Sequence, residues 1–380
     1  MKSDIKVEDS REMKRFLKGQ DLAGVLPPAL VKLPYLKTVE FIRNCLSGPI
    51  PHEWASSTTL ERLDISMNNI SGAIPSFLGN ITTLKNLFMS NNLLSGTVAH
   101  ELGKLVNLEN LILSANYLTG ELPVNLTNLI KLKEIRFSSN NFTGRMPDFF
   151  RSWKQLNQLE IRASGFEGPI PSSISVLSDL TDLRIGDIVG EGSKFPNLSS
   201  MTGMSRLMLR SCNIFGPISS YISNMTQLQI LDLSFNQLDG TVPNFDVLKN
   251  LTFMYLTNNL LTGAIPDWVK NRDDNYQIDL SYNNFTESPA PPCRETLNVF
   301  KSSSGRDNLI LHECLNTPCS NDRYSLHINC GGKATIVGNI QYEEDEDSAG
   351  AAKFDHGREN WGFSSTGHFW DVNYLEKNIG

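Results

Sequence analysis

One spacing constrains this chain more than any other feature. Asparagine recurs at Asn44, Asn68, Asn92, Asn116 and Asn140, and again at Asn236, Asn259 and Asn283. The step is 24 residues, shortened once to 23. Four steps separate Asn140 from Asn236, and the same phase falls on Ser164, Ile188 and Cys212. One step before Asn44 lies Gln20, which gives twelve units, the first truncated. Typical units read LERLDISMNNISGAIP, LENLILSANYLTGELP and LQILDLSFNQLDGTVP. A fixed period of this length predicts one stacked solenoid rather than separate globules. Amphipathic helices do not explain it, because proline recurs where a helix would need a backbone donor.

The local chemistry follows from the pattern. Leu63 and Ile65, Leu111 and Leu113, and Leu231 and Leu233 alternate as in a short strand with one buried face. The asparagine stands where the strand turns, and stacked copies of its amide can form a hydrogen-bonded ladder. Glycine and then Ile-Pro close the opposite side in turn or extended conformation. One unit cannot bury its apolar face alone, so stacking is obligatory. The segments SGPIP at 47–51, SGAIP at 71–75 and TGAIP at 262–266 resemble the plant-specific leucine-rich repeat. The resemblance covers about residues 15–290 and implies an α/β-type repeat solenoid, a right-handed superhelix with a concave parallel β-sheet.

Phase also picks the residues that face outward from that sheet. Four positions before each ladder residue stand Glu40, Asp64, Phe88, Ile112, Arg136, Glu160, Arg184, Met208, Asp232, Tyr255 and Asp279. Asp64, Asp232 and Asp279 occur in the common LDLS-like form and are expected to be solvated scaffold positions. Two before the ladder residue the usual choice is serine, but Arg162 and Arg210 replace it. Arg136, Arg162, Arg184, Arg206 and Arg210 therefore converge on one face, with Glu160 and Asp182 between them. One reading is a basic strip that docks an acidic group of a ligand. The other is a solvated face whose Arg–Glu pairs contribute little. The unit around Ile188 lacks both the asparagine and the Gly-x-Ile-Pro element.

Composition narrows the function classes. Lys and Arg number 34 against 41 Asp and Glu, a net charge of -7, so a nucleic-acid surface is not expected. No run approaches the roughly 18 apolar residues of a membrane helix. The first twenty residues have no apolar core of a secretory leader. Eight N-x-[ST] sequons, at Asn69, Asn80, Asn125, Asn141, Asn197, Asn224, Asn250 and Asn284, favour a glycoprotein that uses the secretory route.

After Asn283 the repeats stop at a proline-rich SPAPPC. Cys293, Cys314, Cys319 and Cys330 suit a disulfide-braced cap or linker over 291–323, with three pairings open. Their spacings lack a zinc knuckle, so no metal is expected. Cys45 and Cys212 are expected to be reduced, packed thiols. INCGG at 328–332 and NWGFSSTGHFWD at 360–371 resemble the start of a malectin-like β-sandwich, here truncated at 324–380. Residues 1–14 are expected to be an irregular N-terminal segment.

Repeats, cysteine linker and malectin-like start together resemble one subfamily of plant leucine-rich-repeat receptor-like serine/threonine kinases. The resemblance implies a non-catalytic recognition region at the extracellular face of the plasma membrane. Its partners would be an extracellular peptide, a cell-wall glycan or a co-receptor ectodomain. No kinase motif occurs, so neither catalytic residues nor a cofactor are expected. Two alternatives are a polygalacturonase-inhibitor-like protein that binds a secreted enzyme, and a truncated product without independent function.

Overall fold

A computed structural model of the chain describes residues 13–273, 275–286, 296–299, 328–330, 335–337, 340–345, 354–355 and 363–364. The repeats build a parallel sheet of 13 strands that runs in sequence order from Met13–Phe16 to Leu297–Asn298. Met13 and Lys14, expected to belong to an irregular segment, lie in the first strand, Met13–Phe16, which pairs with Leu36–Glu40. Most strands have three residues, such as Arg62–Asp64, Asn86–Phe88 and Asn110–Ile112. They pair in register, Leu63 with Leu87 and Leu87 with Leu111. These leucines are fully buried, as are Ile65, Leu78 and Leu84 of one repeat. Side chains one position away point outward from the sheet.

The opposite wall is a column of 3₁₀ turns, including Ser76–Asn80, His100–Lys104 and Val124–Asn128. Proline or alanine stands just before each of these three, in an extended conformation. The only α-helix among the described residues is Asp267–Lys270. Strands stack about 4.8 Å apart. Turns that pack through side chains need more room than that, so the sheet is the inner, concave wall.

A second, shorter sheet follows each turn. It runs through six repeats, from Ala23–Val25 to Asn141–Phe142, and resumes as three strands from Ser193–Lys194. Between them only the isolated bridges of Arg145 with Glu167 and of Glu167 with Val189 remain. The break coincides with Ser164 and Ile188, where the asparagine is missing.

The asparagine ladder joins the repeats. Asn116 Nδ2 donates to the Met89 carbonyl of the preceding repeat (2.9 Å) and to Leu113 and Ser114 of its own (3.0 and 3.2 Å). Its Oδ1 accepts the Leu94 N–H of the preceding repeat (3.0 Å). Asn68, Asn92, Asn140, Asn236, Asn259 and Asn283 donate in the same way. At Cys212 a thiol takes the amide's place, and its Sγ contacts the Ile185 and Arg210 carbonyls at 3.3 Å. Burial pushes that thiol well above its usual pKa, so it stays a protonated donor. Cys45, expected to be packed, is exposed instead. It follows the ladder residue in the second sheet, where Leu46 takes the inward position.

Buried side chains also staple the repeats on the outer wall. Trp54 and Trp153 donate their ring N–H to Pro27 and Leu126 carbonyls one repeat back (3.2 and 3.0 Å). Arg272 reaches the Phe245 and Leu248 carbonyls and stacks on Tyr276 at 4.3 Å.

Further on, residues 328–330 pair in parallel with 340–345, and 335–337 pair antiparallel with the same strand. Strands 354–355 and 363–364 are antiparallel. Most of the segment that resembles a malectin-like domain, and of the linker 291–323, lies outside the described residues.

Replacing Asn116 by alanine leaves several buried backbone groups unpaired. We expect a loss of about 2–4 kcal/mol in urea unfolding, against less than about 0.5 kcal/mol for the exposed Asn128→Ala.

Candidate functional site

The inner face carries three rows of outward side chains, and its middle differs from both ends. Strands Gln158–Arg162, Asp182–Gly186 and Arg206–Arg210 have five residues each. They are in register, so Glu160, Arg184 and Met208 form one row and Arg162, Gly186 and Arg210 another. Two of the three ladder positions that follow these strands hold residues without an amide or thiol, Ser164 and Ile188. Backbone pairing extends into the part of the turn that the asparagine occupies elsewhere.

The predicted arginines meet here, but they do not form a free basic strip. Glu160, only 3% exposed, lies at the centre. Its Oε1 is 2.8 Å from Arg162 Nη2, and its Oε2 is 3.7 Å from Arg184 and 3.9 Å from Arg136. Ser138 Oγ donates to the same carboxylate at 3.1 Å. Burial alone would raise the pKa of Glu160, but Arg162, Arg184 and Arg136 outweigh it and hold the carboxyl below its usual range. Arg184 clamps Asp182 with two bonds of 2.8 and 2.9 Å, and Arg206 reaches the same carboxylate at 3.1 Å. Arg136 pairs with Glu134 at 2.6 Å, a partner that the phase argument did not single out. Arg210 stands 4.0 Å from Asp232 and stacks on Phe235 at 4.3 Å.

Five guanidiniums thus meet four carboxylates, and what remains is shaped charge with a small positive excess. Arg184, Glu160 and Asp182 are buried and act as framework. Arg206 and Arg210 are the most open, with side chains 38% and 33% exposed. Gly186, itself buried, lets Arg162 and Arg210 close in on either side of it. A Cβ there would lie 3.0 Å from the Arg210 carbonyl and 3.5 Å from the Arg162 stem.

The expectation that Asp64, Asp232 and Asp279 are solvated is corrected, because all three are buried. In LDLS and IDLS the aspartate folds onto its own turn. Asp232 Oδ1 accepts the Ser234 N–H and hydroxyl (3.0 and 2.6 Å), and Asp279 does the same with Ser281 (2.9 and 2.6 Å). Tyr255 stands between them in register. Burial pushes Asp279 up to about 6, against the pull of Ser281 and Asn298. Phase reasoning also missed a second ion-pair group at the N-terminal end, where Arg62 binds Glu40 and Asp64 and stacks on Phe88 at 4.4 Å.

All eight sequon asparagines are exposed, and none lies in a strand of the large sheet. Asn69 and Asn141 begin strands of the second sheet, and Asn80, Asn125 and Asn224 lie in 3₁₀ turns. Cys293, Cys314 and Cys319 lie outside the described residues, and of Cys330 only the backbone strand is described.

Comparison with known proteins gives this geometry its context. A family model described as Leucine Rich Repeat matches residues 59–81, 107–129, 131–153, 227–246 and 250–271. Those stretches are leucine-rich repeats, and the fold is a leucine-rich-repeat solenoid. An Arabidopsis thaliana protein named as a probable LRR receptor-like serine/threonine-protein kinase is 44% identical over 188 residues, 48% of this chain and 18% of the relative. A second of the same description and organism is 42% identical over 205 residues, covering 52% of this chain and 19% of the relative. The chain spans about a fifth of the length of these curated relatives. Among solved structures, the leucine-rich-repeat ectodomain of the Arabidopsis receptor kinase HAESA, in complex with an extended IDA peptide hormone, superposes with a TM-score of 0.71. Its identity is 27%, over 78% of this chain and 55% of that one. The structure of a TDR receptor gives 0.67 at 29% identity, over 72% and 47%. HAESA with both the peptide and a co-receptor gives 0.69 at 27% identity, over 78% and 55%.

The Asp279 shift makes a signed prediction. A carboxyl whose folded pKa is raised stabilises the fold below its unfolded pKa, and that stability is lost as pH rises through about 6. Asp279→Asn keeps the oxygen acceptor and removes the charge. Thermal melts should show the variant more stable than the parent at pH 7, by up to about 3 kcal/mol, with the difference vanishing near pH 4.

Proposed function

We propose that this chain is the ligand-recognition region of a plant receptor-like kinase and that its inner face binds an extracellular peptide. The observation that carries this reading is the preorganised charge network of the middle repeats. Glu160, Asp182 and Arg184 hold one another in place, and beside them Arg206 and Arg210 keep the most open guanidiniums of the group. Those groups need no ordering when an acidic group of a ligand arrives, so little conformational entropy is lost on binding. Guanidiniums in a fixed frame also favour a planar carboxylate or a similar oxyanion.

The similarity to peptide-bound receptor ectodomains supports a peptide as the partner, and the HAESA complex supports a co-receptor as a second one. The exposed sequons support an extracellular setting, with N-linked sugars on the outer wall and the second sheet, clear of the inner face. No residue of this chain is assigned a catalytic step. Phosphoryl transfer belongs to the kinases that the relatives are named for, and signalling would start with ligand capture here.

The test is binding of synthetic plant peptides to the purified glycoprotein, measured by calorimetry before and after Arg206→Gln and Arg210→Gln. These two are chosen because Asp182 keeps Arg184 and Asp232 keeps Ser234 when they are replaced, whereas Arg162 and Arg184 hold the buried Glu160. Affinity should fall at least tenfold, with the melting temperature of each variant within a few degrees of the parent. Unchanged affinity in both would remove the network from recognition.

A further inference from the structure

The repeats before the charge network carry a surface of different chemistry on the same inner face. In the central row Phe88 and Ile112 stand side by side in register, both half-buried, where the neighbouring repeats place Asp64 and Arg136. Phe88 is held from one side by the Arg62 guanidinium, 4.4 Å from its ring centroid. Arg62 is itself fixed by Glu40 and Asp64, so the ring cannot easily swing away. In the adjacent row Asn110 Nδ2 donates to Asn86 Oδ1 at 2.6 Å, which aligns two amides along one edge of the shelf.

An apolar floor with an amide edge suits a stretch of extended backbone that sets down one apolar side chain. Amides can bond the peptide groups of such a backbone, as a strand edge does. The shelf also lies at a defined distance from the arginines. Five strand steps separate the strand of Phe88 from that of Arg206 and Arg210. At about 4.8 Å per step that is roughly 24 Å, the length of about seven extended residues.

We propose that Phe88 and Ile112 form a second subsite of the peptide site, and that the ligand is an extended peptide. Its apolar side chain packs on this shelf about seven residues from an acidic group held by Arg206 and Arg210. This rests on the reading of the inner face as a peptide site and adds the chemistry and the spacing. The charge at one end and the uncharged shelf at the other fix the direction in which the peptide lies. A ligand with only an acidic group occupies half of the surface. One with both, at the right separation, gains apolar burial as well.

The experiment is affinity selection of the glycosylated chain on a synthetic nonapeptide library with free carboxyl termini, read by mass spectrometry. It is repeated on Phe88→Ser/Ile112→Ser and on Arg206→Gln/Arg210→Gln. The expected result is enrichment of peptides with an acidic terminus and Leu, Ile or Phe six to eight residues before it. In calorimetry the best of these should lose about tenfold in affinity when that residue becomes serine, as expected for partial burial of one apolar side chain. The loss should disappear on the Phe88→Ser/Ile112→Ser chain, while dependence on the free carboxylate remains. Enrichment for acidic termini without any apolar preference overturns the shelf and leaves the charge site standing. No enrichment on any chain, or the same peptides from the arginine variant, overturns both. Sedimentation velocity of the free chain closes the remaining route: self-association abolished by Phe88→Ser would assign the shelf to a second copy and overturn the peptide subsite.

Discussion

Each asparagine of the ladder bonds a carbonyl one repeat back, two of its own turn and an N–H of the preceding repeat. The turn it closes is costly. The residue just before it adopts a left-handed backbone in repeat after repeat, as at Met67, Ala115, Ser139 and Phe235, all with φ between 54° and 58°. A non-glycine residue pays about 1 kcal/mol or more for that conformation. The amide offsets this by satisfying buried backbone groups that no strand or helix reaches. The short strands depend on it, because a three-residue strand has too few ladder bonds of its own to fix register. Register in turn decides which side chains face outward, so the recognition surface depends on the same amide.

Loss of the asparagine therefore has a local consequence that reaches the site. Around Ser164 and Ile188 the second sheet is broken and the inner strands lengthen to five residues. The added positions hold Arg162, Gly186 and Arg210 in register. Scaffold regularity is lowest where the charged side chains are densest. The carboxylates of Glu160 and Asp182 then do what the ladder does elsewhere, tying neighbouring repeats through side chains. Breaking such a buried pair by removing one partner leaves an uncompensated charge, so the network is fixed in composition as well as in shape.

Much of this was legible in the sequence. The period, the buried Leu and Ile positions and the converging arginines all follow from phase, because a strand alternates faces and a solenoid repeats itself. Cys212 at a ladder position was legible as a place in the pattern, but its role as donor was not. That role needs the Ile185 and Arg210 carbonyls within reach of a thiol. The burial of Asp232 and Asp279 was misread, since phase gives the direction of a side chain and not whether its own turn folds back over it. The Arg62–Phe88 stack was invisible because it joins residues of two repeats that the pattern treats as independent.

The sequence by itself determined the parallel solenoid, its handful of repeating roles and the identity of the charged residues in the middle. Those depend on local periodicity, which a single chain carries in full. The tertiary structure alone decided that the arginines are mostly neutralised, that Arg206 and Arg210 are the open ones, and that Phe88 and Ile112 form a shelf apart from them. These outcomes turn on distances of 3.1–4.4 Å between side chains 24–26 residues apart, set by strand register and rotamer together. Periodicity can place such residues on the same wall, but only packing decides which of them touch.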